Sequence, residues 1–144
     1  MQRFLVDLML MRLGRWLRLL GQDVANPEGG RDAELLLQAK KEIRIIITRD
    51  KVLFQTCPGA AVQCVLIHSS AISDQLLEMA GEGLPLRLDP QRCTLCNGPL
   101  EEMEITGMKR WQCWACKKLY WEGGHRQKME SMLQSIRCRN EKHF

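Results

Sequence analysis

Apolar residues form two short unbroken runs in the first third of the chain, Phe4-Leu5-Val6 and Ile45-Ile46-Ile47. Each is followed within three residues by an aspartate, Asp7 and Asp50. Runs of this length without polar alternation read as strands buried on both faces. After the first run, Leu10, Leu13, Leu17 and Leu20 recur at helical spacing, so residues 9–20 are predicted as a helix that stops at Gly21. Arg12, Arg15 and Arg18 fall three residues apart on an adjoining stripe. Val24-Ala25 is a candidate short strand, and Asn26-Pro27-Glu28-Gly29-Gly30 is a loop. A helix over 33–41 turns Leu35, Leu36 and Ala39 inward, with Asp32 as its N-cap or in its first turn. Residues 44–48 make the second clear strand, and a short helix with Val52, Leu53 and Phe54 follows Asp50. Pro58-Gly59 breaks the chain. Residues 62–67 form a third clear strand, and Ser73-Asp74 caps a last helix carrying Leu76, Leu77 and Met79.

Strands and helices that alternate in this way predict an α/β fold, a parallel sheet flanked by helices. Ligands of such sheets bind at the carboxyl ends of the strands. Asp7 and Asp50 stand at two of those ends, with Asp32 nearby. Three carboxylates converging there would suit Mg²⁺ or Mn²⁺ and phosphodiester hydrolysis. The plain alternative is helix capping and solvated carboxylates. Asp74 is a fourth acidic candidate, although a cap accounts for it, and Asp23 reads as a loop or strand-edge residue. Arg15, Arg18 and Arg49 either contact phosphates or pair with the acidic cluster. Trp16 reads as packing.

Gly81, Gly83, Pro85 and Pro90 mark a linker, which divides the chain into residues 1–88 and 89–144. The second part holds the most specific pattern, Cys93-Thr94-Leu95-Cys96, sixteen residues, then Cys113-Trp114-Ala115-Cys116. Paired C-x-x-C turns at this separation fit a tetrahedral Cys₄ zinc site. Four protein thiolates leave no open position, so the zinc is structural. Asn97-Gly98 supplies residues tolerant of positive φ. About fifty residues bury little core, so the metal contributes much of this module's folding free energy. Trp111, Trp114, Tyr120 and Trp121 interleave with Lys109, Arg110, Lys117 and Lys118. They serve single-stranded nucleic acid or the ribbon's small core, and the pattern does not choose. His125 is a ligand, a residue beside the ligands, or a nucleic-acid contact. His68 and His143 carry no argument. Cys64 reads as core, while Cys57 and Cys138 have no partner pattern. Residues 126–144 form a basic terminal helix with Met129, Met132, Leu133 and Ile136 on one face.

Hydrophobic residues make up 45% of the 144, enough for a packed core. The net charge of +4 is modest, but its distribution is uneven. Residues 1–90 carry 11 basic and 11 acidic side chains, and residues 91–144 carry 10 and 6. The excess in the last third is compatible with a nucleic-acid partner and also with a solvated face. No apolar stretch approaches the roughly 20 residues of a membrane span. The short N-terminal run, broken by Asp7 and followed by arginines, is the wrong layout for a secretory signal. Seven cysteines, four of them in C-x-x-C pairs, point to metal binding in a reducing compartment, the cytoplasm.

These residues together resemble the Mut-7-C RNase family, a PIN-like nuclease domain followed by a zinc ribbon. The likeness is carried by Phe4-Leu5-Val6-Asp7, by Leu13-Gly14-Arg15-Trp16-Leu17-Arg18-Leu19-Leu20-Gly21-Gln22-Asp23, by Asp32-Ala33-Glu34-Leu35-Leu36 and by Ile47-Thr48-Arg49-Asp50. In the ribbon it rests on the two cysteine pairs, Arg92, Asn97-Gly98 and Tyr120-Trp121-Glu122-Gly123-Gly124-His125. The resemblance implies a PIN-like fold, ribonuclease activity and RNA as partner. It implies an acidic site of Asp7, Asp32 and Asp50, with Arg15, Arg18 and Arg49 as the basic positions. In that family the segment between the cysteine pairs is usually longer than it is here. Expected nucleic-acid contacts are Arg15, Arg18, Arg49, Lys109, Arg110, Trp114 and Lys117. A homodimer or a regulatory protein partner stays open. The rival reading is an adaptor without catalysis, built on the ribbon. A haloacid-dehalogenase phosphatase would need an aspartate where Met9 stands, and no Gly-rich phosphate loop is present.

Overall fold

Phe4 and Val6 project to one side of their strand and Leu5 to the other, and all three are buried. That double burial requires helices on both faces, and the computed structural model has them. It describes residues 2–121 and 124–141; His143 and the side chain of His125 lie outside the described residues. The first segment contains β1 (Arg3–Val6), α1 (Met11–Leu19), β2 (Asp23–Ala25), α2 (Asp32–Glu42), β3 (Ile45–Thr48), α3 (Lys51–Thr56), β4 (Cys64–Leu66) and α4 (Ile72–Gly81). The four strands are parallel, in the order β2-β1-β3-β4. Every connection is a crossover, as parallel neighbours require.

One core lies between the sheet and α1 and α4, with Phe4, Val6, Leu13, Leu17, Ile47, Leu76 and Met79. The other lies under α2 and α3, with Leu5, Leu35, Ala39, Ile46, Leu53 and Cys57. α1 crosses β1 closely at Gly14, where a Cβ would come within 3.0 Å of Val6 Cγ2. Gly21 ends the helix region at φ +89°, as expected of a left-handed stop. The last helix differs from the expectation. It begins at Ile72 with Ala71 at the N-cap, and no side chain caps it. Ser73 and Asp74 therefore lie inside its first turn, and Asp74 pairs instead with Arg139 at 2.7 Å.

The second segment is an antiparallel sheet of β5 (Leu100–Ile105), β6 (Met108–Cys113) and β7 (Leu119–Trp121), followed by α5 (Gly124–Glu141). Thr106 and Gly107, both at positive φ, make the two-residue turn between β5 and β6. α5 returns to the first segment. Leu133 and Ile136 join the α1–α4 core, as do Leu84 and Leu86 of the linker. Full burial of an aliphatic side chain contributes about 1.5–3 kcal/mol. The linker and the terminal helix are thus packed parts of one body. Among the described residues, no helix is long and apolar enough to cross a membrane.

Candidate functional site: an acidic corner and a four-cysteine centre

α2 follows β2 and α3 follows β3, so both helices begin at the carboxyl edge of the sheet. Their buried faces share one core, so both lie on the same side. Asp7 leaves β1 at that edge, on the Leu5 side of the strand. It is 8% exposed, and its Oδ2 accepts a 2.8 Å hydrogen bond from the hydroxyl of Thr48. The same hydroxyl accepts from the backbone N–H of Asp50 at 3.0 Å. Asp50 caps α3, its Oδ1 accepting from the N–H groups of Val52 (2.9 Å) and Leu53 (3.3 Å). Thr48 therefore links the two aspartates, with its side chain fully buried. Asp32 stands in the first turn of α2, exposed, with Arg31 at the N-cap. The β2–α2 loop leans on the end of β1: a Cβ at Gly30 would meet Leu8 Cδ1 at 2.9 Å. Asp7 and Asp50 are joined through Thr48, and Asp32 begins α2 at the same edge of the sheet. Among the described residues, however, they do not form a group whose ligand atoms lie within 4.8 Å of one another.

The four cysteines do form such a group. Cys93 and Cys116 have their Sγ atoms 3.6 Å apart, and Cys96 and Cys113 3.5 Å. A tetrahedron with Zn–S of about 2.3 Å has edges of about 3.8 Å, so the thiols are spaced to close on zinc. The turns direct backbone N–H groups at sulfur, from Gly98 to Cys96 and from Cys116 to Cys113, both at 3.4 Å. Tyr120 Oη lies 2.9 Å from Cys93 Sγ. Burial opposes ionisation of Cys93, but the Tyr120 hydroxyl and the N–H groups of Cys96 and Leu95 outweigh it and bring the thiol down to about 6. Cys96 is pushed up to about 12, by burial and by sharing protons with the neighbouring thiols. Gly98 is required by space: a Cβ there would sit 2.8 Å from Cys113 Sγ.

The cysteine turn docks on the exposed edge of β2. Asn97, at φ +67°, accepts from the N–H of Val24 at 3.0 Å and donates to Asp23 at 2.6 Å. Its amide thus satisfies part of an edge that would otherwise be open. Asp23 also meets Arg44 at 2.8 Å, and Arg3 and Arg92 at 3.5 Å. Burial alone would raise the Asp23 carboxyl, but hydrogen bonds from Arg44 and Asn97 hold it below its ordinary value. Asp23 is a junction between segments, a role absent from the strand-edge expectation. Its partners are up to 74 residues distant, so no local signal marks it.

The basic positions separate into two kinds. Arg15 and Arg49 are exposed. Arg18 is not, and this corrects its place among the nucleic-acid contacts. It is 1% exposed and donates to Val24 O (2.8 Å), Thr94 O (2.6 Å) and Asn26 Oδ1 (2.6 Å). Phosphates do not reach a guanidinium enclosed in this way. Replacing it with Met is expected to destabilise the protein by about 2–4 kcal/mol, because three acceptors lose their donor. Urea unfolding at 25 °C reads this; a loss below about 1 kcal/mol would mean the side chain is not a strut.

In the ribbon, Trp114 is 63% exposed with Lys117 Nζ 5.7 Å from its ring. Trp111 and Tyr120 instead line a cavity of about 200 Å³ against Leu19, Leu88 and Met129. These three aromatics are thus divided between surface and packing, while the side chain of Trp121 lies outside the described residues. Lys109 is exposed and pairs loosely with Glu102 at 3.7 Å, and Arg110 is half-buried with partners of its own.

The family model described as Mut7-C RNAse domain matches residues 2–133. No curated protein and no solved structure matches the chain. The family match takes in the Thr48-linked aspartates, the four-cysteine centre and most of the helix that returns to the first core. On that extent, the chain belongs to the Mut7-C RNAse domain family.

Proposed function

We propose that this protein is a metal-dependent endoribonuclease that hydrolyses RNA phosphodiester bonds at the acidic corner. The observation that carries the reading is the Thr48 hydroxyl joining Asp7 to the cap of α3 at the carboxyl edge of a parallel sheet. Family membership supports a nuclease-like role with RNA as substrate. The donor set is hard oxygen, which suits Mg²⁺ or Mn²⁺. Asp7 and Asp50 would hold the ion directly. Asp32, exposed in the first turn of α2, would add a third carboxylate to the ion's surroundings. Bound there, the ion supplies a nucleophilic water and neutralises phosphate charge. Arg15 and Arg49, free of the core, hold the flanking phosphates. Water attacks phosphorus in line, and the bond to the leaving sugar oxygen breaks.

In this reading residues 1–88 are the PIN-like nuclease part, and residues 89–144 are the zinc ribbon with its helix. The ribbon assists RNA binding through Trp114, Lys117, Lys109 and Arg110; an exposed aromatic beside a lysine suits a stacked base and its phosphate. Seven cysteines outside disulfides, four of them grouped for a metal, favour a reducing cytoplasm.

Metal dependence tests the proposal. A short labelled RNA should be cut with Mn²⁺ present and left intact with EDTA. Activity should return when Mn²⁺ is restored to zinc-loaded protein. Cutting that persists in EDTA, with the acidic corner stripped of metal, would sink the proposal.

A further inference from the structure

The turn that carries Cys93 and Cys96 also holds the loop that leads to Asp32. Asn26, directly after β2, uses both ends of its amide. Its Nδ2 donates to Leu95 O at 3.1 Å, and its Oδ1 accepts from Arg18 at 2.6 Å. Arg18 in turn donates to Thr94 O. Both carbonyls lie between the two cysteines of the first pair, so their positions depend on closure of the thiol site. On its other side the loop is fixed to α2 by buried Gln38, which donates to Asn26 O (3.1 Å) and accepts from the N–H of Glu28 (2.9 Å). The segment between these clamps and Asp32 is Gly29-Gly30-Arg31, two glycines and an exposed arginine. Such a segment has little stiffness of its own, so Asp32 takes its place from α2, which Gln38 ties to Asn26 O.

We infer that Asn26 and Arg18 are positioning residues, through which the zinc-held turn, by way of Gln38, sets the place of α2 and so of Asp32 at the carboxyl edge of the sheet. The inference rests on the nuclease reading above, since it gives Asp32 a part in metal binding. A purely structural link would stabilise the fold without changing affinity at the corner. A positioning link changes both.

The test uses full-length, zinc-loaded protein carrying Asn26→Ala, with Asn26→Asp as the milder variant that keeps the bond from Arg18 and loses the one to Leu95. Three quantities are read well below the melting temperature: zinc content, amide hydrogen exchange over residues 28–32, and Mn²⁺ affinity by calorimetry. The expected result for Asn26→Ala is parental zinc content, exchange faster by about 10-fold, and Mn²⁺ bound about 10-fold more weakly. Asn26→Asp should weaken Mn²⁺ about 3-fold, on the same grounds. Parent-like Mn²⁺ affinity in whichever variant folds overturns the inference, even if exchange accelerates. Asp7→Asn separates the two layers. If the parent's Mn²⁺ binding does not depend on Asp7, the nuclease reading fails and takes this one with it. If it depends on Asp7 but not on Asn26, only this one fails.

Discussion

Asp7→Asn is expected to lower the rate of RNA cleavage on the order of a thousandfold while the protein stays folded; a loss of that size is about 4 kcal/mol of transition-state stabilisation. The fold should survive because asparagine keeps the shape and can still accept from the Thr48 hydroxyl. What it removes is the negative charge that would face a bound cation and the phosphate. Asp50→Asn should fall by a similar factor and also stay folded, since asparagine caps as well as aspartate and its Oδ1 still accepts from the two N–H groups of α3. Asp50→Ala, which removes the cap, should lose about 1 kcal/mol besides. Activity lost in both asparagine variants with stability kept is a pattern that helix capping alone would not give. Cleavage of a labelled RNA under single-turnover conditions, beside thermal melts of each variant, reads both. Variants that cut as fast as the parent would remove these carboxylates from the mechanism.

The places of Asp7 and Asp50 at the carboxyl edge of the sheet were legible because both sit next to unmistakable strands. Phe4-Leu5-Val6 and Ile45-Ile46-Ile47 are buried on both faces, which leaves no polar alternation to confuse the reading. Asp50 lies ahead of an apolar helix in the position of a cap, and it is one. Thr48 was harder to see. As the last residue of β3 it looks like an ordinary β-branched strand residue, and only the partner strand shows that its hydroxyl meets Asp7.

Arg18 shows where sequence reading stops. Arg12, Arg15 and Arg18 have the same spacing and charge, so nothing local separates a surface arginine from a buried one. The difference is made by Thr94, 76 residues further on, whose carbonyl completes the set of acceptors that makes burial tolerable. Burial draws Arg18 below its ordinary pKa, while the nearby Cys93 and Cys96 act against the shift. Asp23 is the same case with the opposite sign, an edge residue until Arg44 and Asn97 arrive. The terminal helix was legible as amphipathic, but the surface it would cover was not. Leu133 and Ile136 complete a core whose other walls, Leu13 and Leu76, lie far away in sequence.

Removing zinc is the change expected to disturb the largest part of the molecule. The three-stranded ribbon has few buried side chains of its own. Cys93 and Cys113 are fully buried, but Glu101, Glu104, Ile105, Met108 and Lys109 of its hairpin are exposed. Structural zinc in small modules contributes about 10–16 kcal/mol, comparable with the whole stability of a domain. Without it, four thiols that crowd within 4.8 Å lose the charge that holds them. A strong chelator, or Cys93→Ser, should therefore lower the melting temperature by roughly 10 °C or more. Hydrogen exchange locates the effect. Amides of β5 and β6 should lose protection, and that of Val24, bonded to Asn97, should follow because its acceptor leaves. Amides of β1 and β3, paired inside the parallel sheet, should remain protected. A chelator strips both metals, so Mn²⁺ is then restored alone. Thiolates favour zinc over Mn²⁺, so this leaves the ribbon open and refills only the carboxylates. Activity should stay low until zinc is returned as well. Ribbon amides that stay protected after zinc has gone would show that the hairpin and α5 carry the module without metal. Full activity with Mn²⁺ alone would show that the acidic corner stands independently of the turn docked on β2.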